Sequence, residues 1–158
     1  MDSEIADTFG NRVRARACGL CWKGRDLLLV NHKSLTLNDF WAPPGGGVDF
    51  GQTALKALER EFWEETGLTV RVGKLLFVCE FILKPLHAIE LFFDVNYENG
   101  ELKTGIDPEL SDNQQIIKDV KFCSPEDIKA FSRESMHGIF RFCDDPEELK
   151  KLSGYIKI

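Results

Sequence analysis

The rhythm of apolar and polar positions changes several times along this chain, and each change predicts an element. Between Arg12 and Trp22, Val13, Ala15 and Ala17 alternate with Arg12, Arg14 and Arg16, the two-residue period of a strand. A Lys23-Gly24-Arg25-Asp26 turn separates it from the apolar run Leu27 to Val30, so the two read as a hairpin. A mostly polar connection over residues 32–39 leads to Phe40-Trp41-Ala42 and then to Pro43-Pro44-Gly45-Gly46-Gly47, which suits neither regular helix nor a central strand. From Thr53 to Glu65 the period turns helical, with Thr53 or Gln52 near the start and Gly67 as the stop. Residues 68–83, rich in Val, Leu, Phe and Ile, predict one long strand or two short ones. After Lys84-Pro85, residues 87–97 alternate as a further strand, and Asn99-Gly100 marks a turn. Residues 103–117 read as a polar loop and 120–123 as a short strand. Ser124-Pro125-Glu126-Asp127 opens a helix, and a last helix is predicted over 144–152. With no repeat or linker in between, residues 1–158 form one mixed domain: a central sheet, a helix after the Gly-rich loop, and more helix near the C-terminus.

Composition narrows the partners. A chain of 158 residues with 43% hydrophobic and 29% charged residues buries a real core, which excludes global disorder. A net charge of -6 and a pI near 5.1 disfavour a long nucleic-acid partner but not a small phosphorylated one, since a bound metal reverses the local field. The first ten residues lack a basic start with an apolar run, and no stretch approaches the roughly 18 apolar residues of a membrane span. The expectation is a cytoplasmic protein. Five scattered cysteines agree with that; Cys18 and Cys21 form a lone C-x-x-C inside an apolar strand, better read as buried free thiols than as half a zinc site.

The chemistry concentrates in Gly45 to Leu68, GGGVDFGQTALKALEREFWEETGL. At about 100° per residue, Glu61, Glu64 and Glu65 share roughly a 100° arc of their helix. Ala54, Ala57 and Leu58 project onto the same arc, so the acids continue the face that should turn inward. Like charges crowded there repel unless something offsets them. A hard divalent cation does so, because Mg2+ takes carboxylate oxygens, keeps waters and accepts phosphate oxygens. Glycines just upstream let backbone approach a ligand, and Arg60 can hold a carboxylate in place. A solvated surface helix is the plain alternative, which the Gly triplet disfavours.

The segment resembles the Nudix box, in which a glycine, five residues, a glutamate, seven residues and then Arg-Glu-apolar-x-Glu-Glu-x-Gly-apolar follow in order. Gly46 takes the first position, and Arg60, Glu61, Phe62, Glu64, Glu65, Gly67 and Leu68 complete the last block. One position departs: Gln52 stands where the first glutamate is expected, keeping hydrogen-bonding capacity without the charge. The resemblance implies an α+β fold, an α/β/α sandwich with a central mixed β-sheet flanked by helices. It also implies hydrolysis of a nucleoside diphosphate linked to another moiety. Glu61, Glu64 and Glu65 would hold Mg2+ or Mn2+ with the Gly46 carbonyl, and Arg60 would support them. Glu64 is the box residue assigned as general base, with Glu109 and Asp112 in the polar loop as downstream candidates. The family also includes dimers, so a homodimer is compatible. A nucleotide-sensing module without turnover is the reading that Gln52 motivates.

Outside that segment, Arg14 and Arg16 share a strand face with Arg12, either as a solvent face or as ligands for substrate phosphates. Phe40, Trp41 and Phe50 flank the Gly-rich loop and could stack on a base or sugar, though core or rim packing is the favoured reading for each alone. His32, His87 and His137 show no metal-ligand spacing and receive no role. Pro85 lies about where some ADP-ribose hydrolases of the family carry a proline. The substrate itself stays open among nucleoside triphosphates, ADP-ribose, nucleotide sugars and dinucleoside polyphosphates.

Overall fold

The computed structural model describes residues 3–34, 36–108, 110 and 115–158. Its strands are β1 (Val13–Lys23), β2 (Asp26–His32), β3 (Phe40–Ala42), β4 (Gly45–Gly47), β5 (Leu68–Leu83), β6 (Leu86–Gly100), β7 (Ile117–Cys123) and β8 (Gly154–Lys157). The α-helices are α1 (Ser3–Phe9), α2 (Ala54–Thr66) and α3 (Pro125–Ala130), followed by 3-10 turns at 133–135, 138–142 and 146–151.

The sheet is mixed and forks at its first hairpin. β1 runs parallel to β6 over nine register pairs from Val13 with His87 to Cys21 with Val95. It meets β2 only at Trp22–Leu27 and Lys23–Asp26. Beyond that base β2 turns away to pair with β3 on one side and β7 on the other. A core cluster covers each face of β2, which explains why Leu27 to Val30 is a continuous apolar run rather than an alternating one. Leu27 and Leu29 enter one core cluster with Phe77, Phe92 and Ile139, while Leu28 and Val30 enter another with Leu58, Phe62 and Phe93. The first cluster lies under the C-terminal turns; the second is closed by α2.

Helix α2 is well specified locally. The Thr53 side chain accepts from Lys56 N at 3.2 Å, and Gly67 ends the helix at φ 72° with its N–H donating to Trp63 O. Ala57, Leu58 and Phe62 are buried on its inner face. Removing the fully buried Phe62 ring would cost about 3–5 kcal/mol.

Several elements differ from expectation. Gly45–Gly47 forms a short strand, because glycines without side chains let it press against β1 at Arg16–Cys18. Asn99-Gly100 does not turn the chain: it continues β6, pairing with Thr69 and Leu68, as β5 stays one long strand with register shifts. The last helix is a 3-10 segment over 146–151 with a capping box from Asp145 and Glu148. α1 and β8 were not expected at all.

Candidate functional site

The alternation of β1 holds, but its polarity is inverted near the N-terminus. Val13 and Ala15 are exposed, whereas Arg14 and Arg16 turn towards a cleft of about 430 Å³. The cleft floor is the sheet face carrying Arg14, Arg16 and Cys18 of β1 beside Glu90 and Phe92 of β6. One wall is the glycine strand β4 with Arg60, Glu61 and Glu65 of α2. α1 supplies another through Ile5 and Phe9, and Arg14 lies over the Phe9 ring at 4.3 Å. Arg12 faces outward, donating to Thr8 O.

At the α2 wall, backbone and carboxylates interlock. Glu65 accepts from Gly45 N at 2.9 Å. Gly46 sits so close to Glu61 that an added Cβ would fall 2.3 Å from its carboxyl carbon. Arg60 Nη1 lies 3.0 Å from Glu61 Oε1 and 2.9 Å from Glu64 Oε2, while its Nη2 donates to Gly47 O at 3.1 Å and faces Asp49 at 3.6 Å. So Arg60 does not clamp one carboxylate with two bonds; a single nitrogen serves two.

The electrostatics follow from that crowding. Burial raises Glu61 to about 7, with Arg60 opposing the shift and Glu64 and Asp107 adding to it. Burial likewise raises Glu64, and pushes Glu65 well above the carboxylate range, aided by Glu61. Carboxylates this reluctant to ionise are a donor set suited to a hard cation, and all the donors are oxygens. Among the described residues no three His, Cys, Asp or Glu side chains converge as a ready cage. Arg60 contacts both Glu61 and Glu64, so a cation bound at these carboxylates would have to draw them from it.

The other sequence candidates separate. Gly46, Glu61, Glu65, Arg60, Arg14, Arg16 and Phe40 line the cleft. Glu64 is not among its lining residues. Trp41 is buried in the core, stacked on Phe131 at 4.9 Å, and does not line the cleft. Phe50 points wholly into solvent. Gln52 Oε1 is enclosed without a hydrogen-bond partner among the described residues. Glu109 and Asp112 lie outside the described residues. Pro85 is in the β5–β6 turn, accepting from Asn11 N next to α1.

Three residues carry more than their sequence context suggested. Asp107 lines the cleft, carried there by a loop fastened to the end of α2: Gly105 N donates to Glu65 O and Ile106 N to Glu64 O. His32 lines it too, and burial, aided by Arg16, lowers its pKa to about 4. Glu90 is 2% exposed, with Oε2 accepting from Arg16 at 2.9 Å and Oε1 2.9 Å from His137 Nε2. Burial alone would raise Glu90, but His137 and Arg16 outweigh it and hold it at about 2. An acid between Ala88 and Phe92 on the inward face of an alternating strand was the available signal for Glu90; nothing in the sequence pointed to His137. Burial keeps the Cys18 thiol, which donates to Glu90, far from ionising. All five cysteines are free thiols.

Comparison with known proteins completes the picture. A family model described as "NUDIX domain" matches residues 10–141. An ADP-ribose pyrophosphatase of Methanocaldococcus jannaschii is 34% identical over 116 residues, 64% of this chain and 69% of that protein. An RNA pyrophosphohydrolase of Bartonella clarridgeiae is 38% identical over 50 residues, covering 32% of this chain but only 29% of that protein. In structure, a MutT protein from Methanosarcina mazei superposes with a TM-score of 0.68 at 22% identity, over 89% of this chain and 95% of that one.

Proposed function

Because this chain belongs to the Nudix hydrolases, enzymes that split phosphorus anhydrides, we propose that its reaction is the Mg2+- or Mn2+-dependent cleavage of a nucleoside diphosphate linked to another moiety. One observation carries the reading: Glu61, Glu65 and the glycine strand line the same cleft as Arg14 and Arg16. A wall of carboxylates suited to a cation beside a floor of guanidiniums suited to phosphates supports the reading.

Glu61, Glu64, Glu65 and the Gly46 carbonyl would hold the metal. Bound there, Mg2+ supplies charge neutralisation of the diphosphate and acidifies water for attack at phosphorus. Arg14 and Arg16 would meet the phosphates from the floor, Arg16 while held by Glu90 and Gly45. Glu64 is held by Arg60 away from the cleft lining, whereas Asp107 lines it. Asp107 is therefore the better-placed acceptor of the attacking water's proton, with Glu64 as a metal ligand. Phe40, edge-on to His32 with ring centroids 5.4 Å apart, offers an aromatic surface to a base or sugar. Residues 1–158 serve this one domain. The free thiols suit a reducing, cytoplasmic setting, and among the described residues no helix is long and apolar enough to cross a membrane.

The test is a product analysis with ADP-ribose first, after the M. jannaschii relative, then nucleotide sugars, nucleoside triphosphates and dinucleoside polyphosphates. Each is incubated with Mg2+, Mn2+ or EDTA, beside a Glu64→Gln variant. Cleavage between the phosphates that needs metal and vanishes in the variant supports the reading. The unpartnered Gln52 Oε1 favours a second one, a sensing module. Thermal stabilisation by one compound without turnover would select it.

A further inference from the structure

A buried carboxylate is costly to maintain, and Glu90 is surrounded by more polar contacts than its own burial requires. Its two oxygens reach opposite ways. Oε1 meets His137 Nε2; since His137 Nδ1 accepts from Ile139 N at 3.3 Å, it is Nε2 that carries the proton and donates. His137 is itself fixed by its N–H to Trp41 O at 2.9 Å. Oε2 accepts from Arg16 Nη1, and Arg16 Nη2 goes on to donate to Gly45 O at 3.1 Å. The same glycine donates its N–H to Glu65. The N–H and the carbonyl of Gly45 are thus both held by side chains, Glu65 of α2 and Arg16 of β1.

We propose that Glu90 is a positioning residue which, braced by His137, aims Arg16 at the Gly45 carbonyl and so sets the glycine strand against Glu61 and Glu65. Although it lies on the cleft floor, it is 2% exposed and both its oxygens are taken, so it acts through Arg16. Without its charge, Arg16 keeps a donor aimed at a weaker acceptor and can turn into the cleft. The glycine strand keeps its backbone pairing with β1 but loses the guanidinium on the Gly45 carbonyl, and the spacing between Gly46 and Glu61 relaxes. Misplacement near 1 Å at a reacting centre commonly costs about a hundredfold in rate, so a partial loosening should cost about tenfold. A residue that merely stabilised the core would lower the melting temperature and leave the site's chemistry alone.

The experiment compares Glu90→Gln, His137→Leu and His137→Gln with the unaltered chain in kcat, KM and Mn2+ affinity by titration calorimetry. Glu90→Gln should lower kcat about tenfold with KM changed less than about threefold, and should weaken Mn2+ binding. His137→Leu should do the same more mildly. His137→Gln, whose amide can still donate to Glu90, should lose less than His137→Leu on both readouts. Unchanged kcat and Mn2+ affinity in Glu90→Gln overturns the proposal, and so does an equal loss in the two His137 variants. If Glu90→Gln does not fold, the His137 pair decides alone. The kinetic arm rests on the hydrolase reading; if the unaltered chain cleaves nothing, that reading falls while the Mn2+ arm still tests this one.

Discussion

Replacing Gly46 by alanine should silence the site while sparing the fold. The new Cβ would lie 2.3 Å from Glu61 Cδ and Oε1 and 2.5 Å from Oε2, where ordinary contact begins at 3.4 Å. The carboxylate must therefore retreat by 3.4 − 2.3 = 1.1 Å. What it meets is the far end of a flexible side chain, so the backbone need not move. The stability cost should stay within about 1 kcal/mol, a melting shift of about 2–4 °C for a chain of this size. The chemical cost is larger, because a retreat of this size at a proposed metal ligand is worth about a hundredfold in kcat. The assay is steady-state hydrolysis of the best substrate at saturating Mg2+, alongside thermal unfolding of both proteins. A Gly46→Ala enzyme with undiminished kcat would refute the placement of Glu61 against the glycine strand. Loss of activity through wholesale unfolding would refute the claim that only the carboxylate has to give.

Other perturbations should read differently. Gly105→Ala meets backbone, its Cβ falling on Glu64 O, so unfolding experiments should show a loss of about 3 kcal/mol or more, and an unchanged midpoint would contradict the loop's packing. Arg14→Ala should raise KM by about tenfold or more with kcat little changed, since a charged hydrogen bond is worth about 1.5–3 kcal/mol; equal KM values would remove Arg14 from phosphate binding. Asp107→Asn should lower kcat about a hundredfold or more while leaving Mn2+ affinity intact, and weakened Mn2+ binding instead would make Asp107 a ligand. Acidification should destabilise the chain through His32: its folded pKa of about 4 lies below the unfolded 6.5, so the unfolded state takes up protons first and stability present above 6.5 is lost as pH falls towards 4. Because His32 lines the cleft and is not fully enclosed, the loss should be about 1–2 kcal/mol, and a His32→Gln variant should show a flatter melting profile across that window.

The parts legible in the sequence are those whose cause is local. Helix α2 could be read because its cap, its stop and its inward-facing acids lie within one window, and the strands because alternation is local too. What escaped reading depends on partners far along the chain. Nothing near Glu90 names Arg16, 74 residues earlier, or His137, 47 residues later. Core or rim packing is the favoured reading of Trp41 from its sequence, but its stacking partner Phe131, far along the chain, is supplied only by the tertiary fold. Arg14 and Arg16 resembled a solvent face until α1 closed over them; Ile5 and Phe9 pack with Leu110, a contact no local pattern announces. Asp107 was masked by its loop's polarity, and its position is set by backbone bonds to the end of α2.

Arg60 gives the protein an internal counter-ion. In domains held together by a structural metal, stripping the ion unfolds the chain, and restoring function means refolding it. Here one guanidinium nitrogen already balances Glu61 and Glu64, so the acidic wall has a settled arrangement before any ion arrives. The polypeptide can mature independently of the supply of divalent ions. A chelated sample should then regain full activity on simple addition of salt, within the time of mixing, as a reversible off-state.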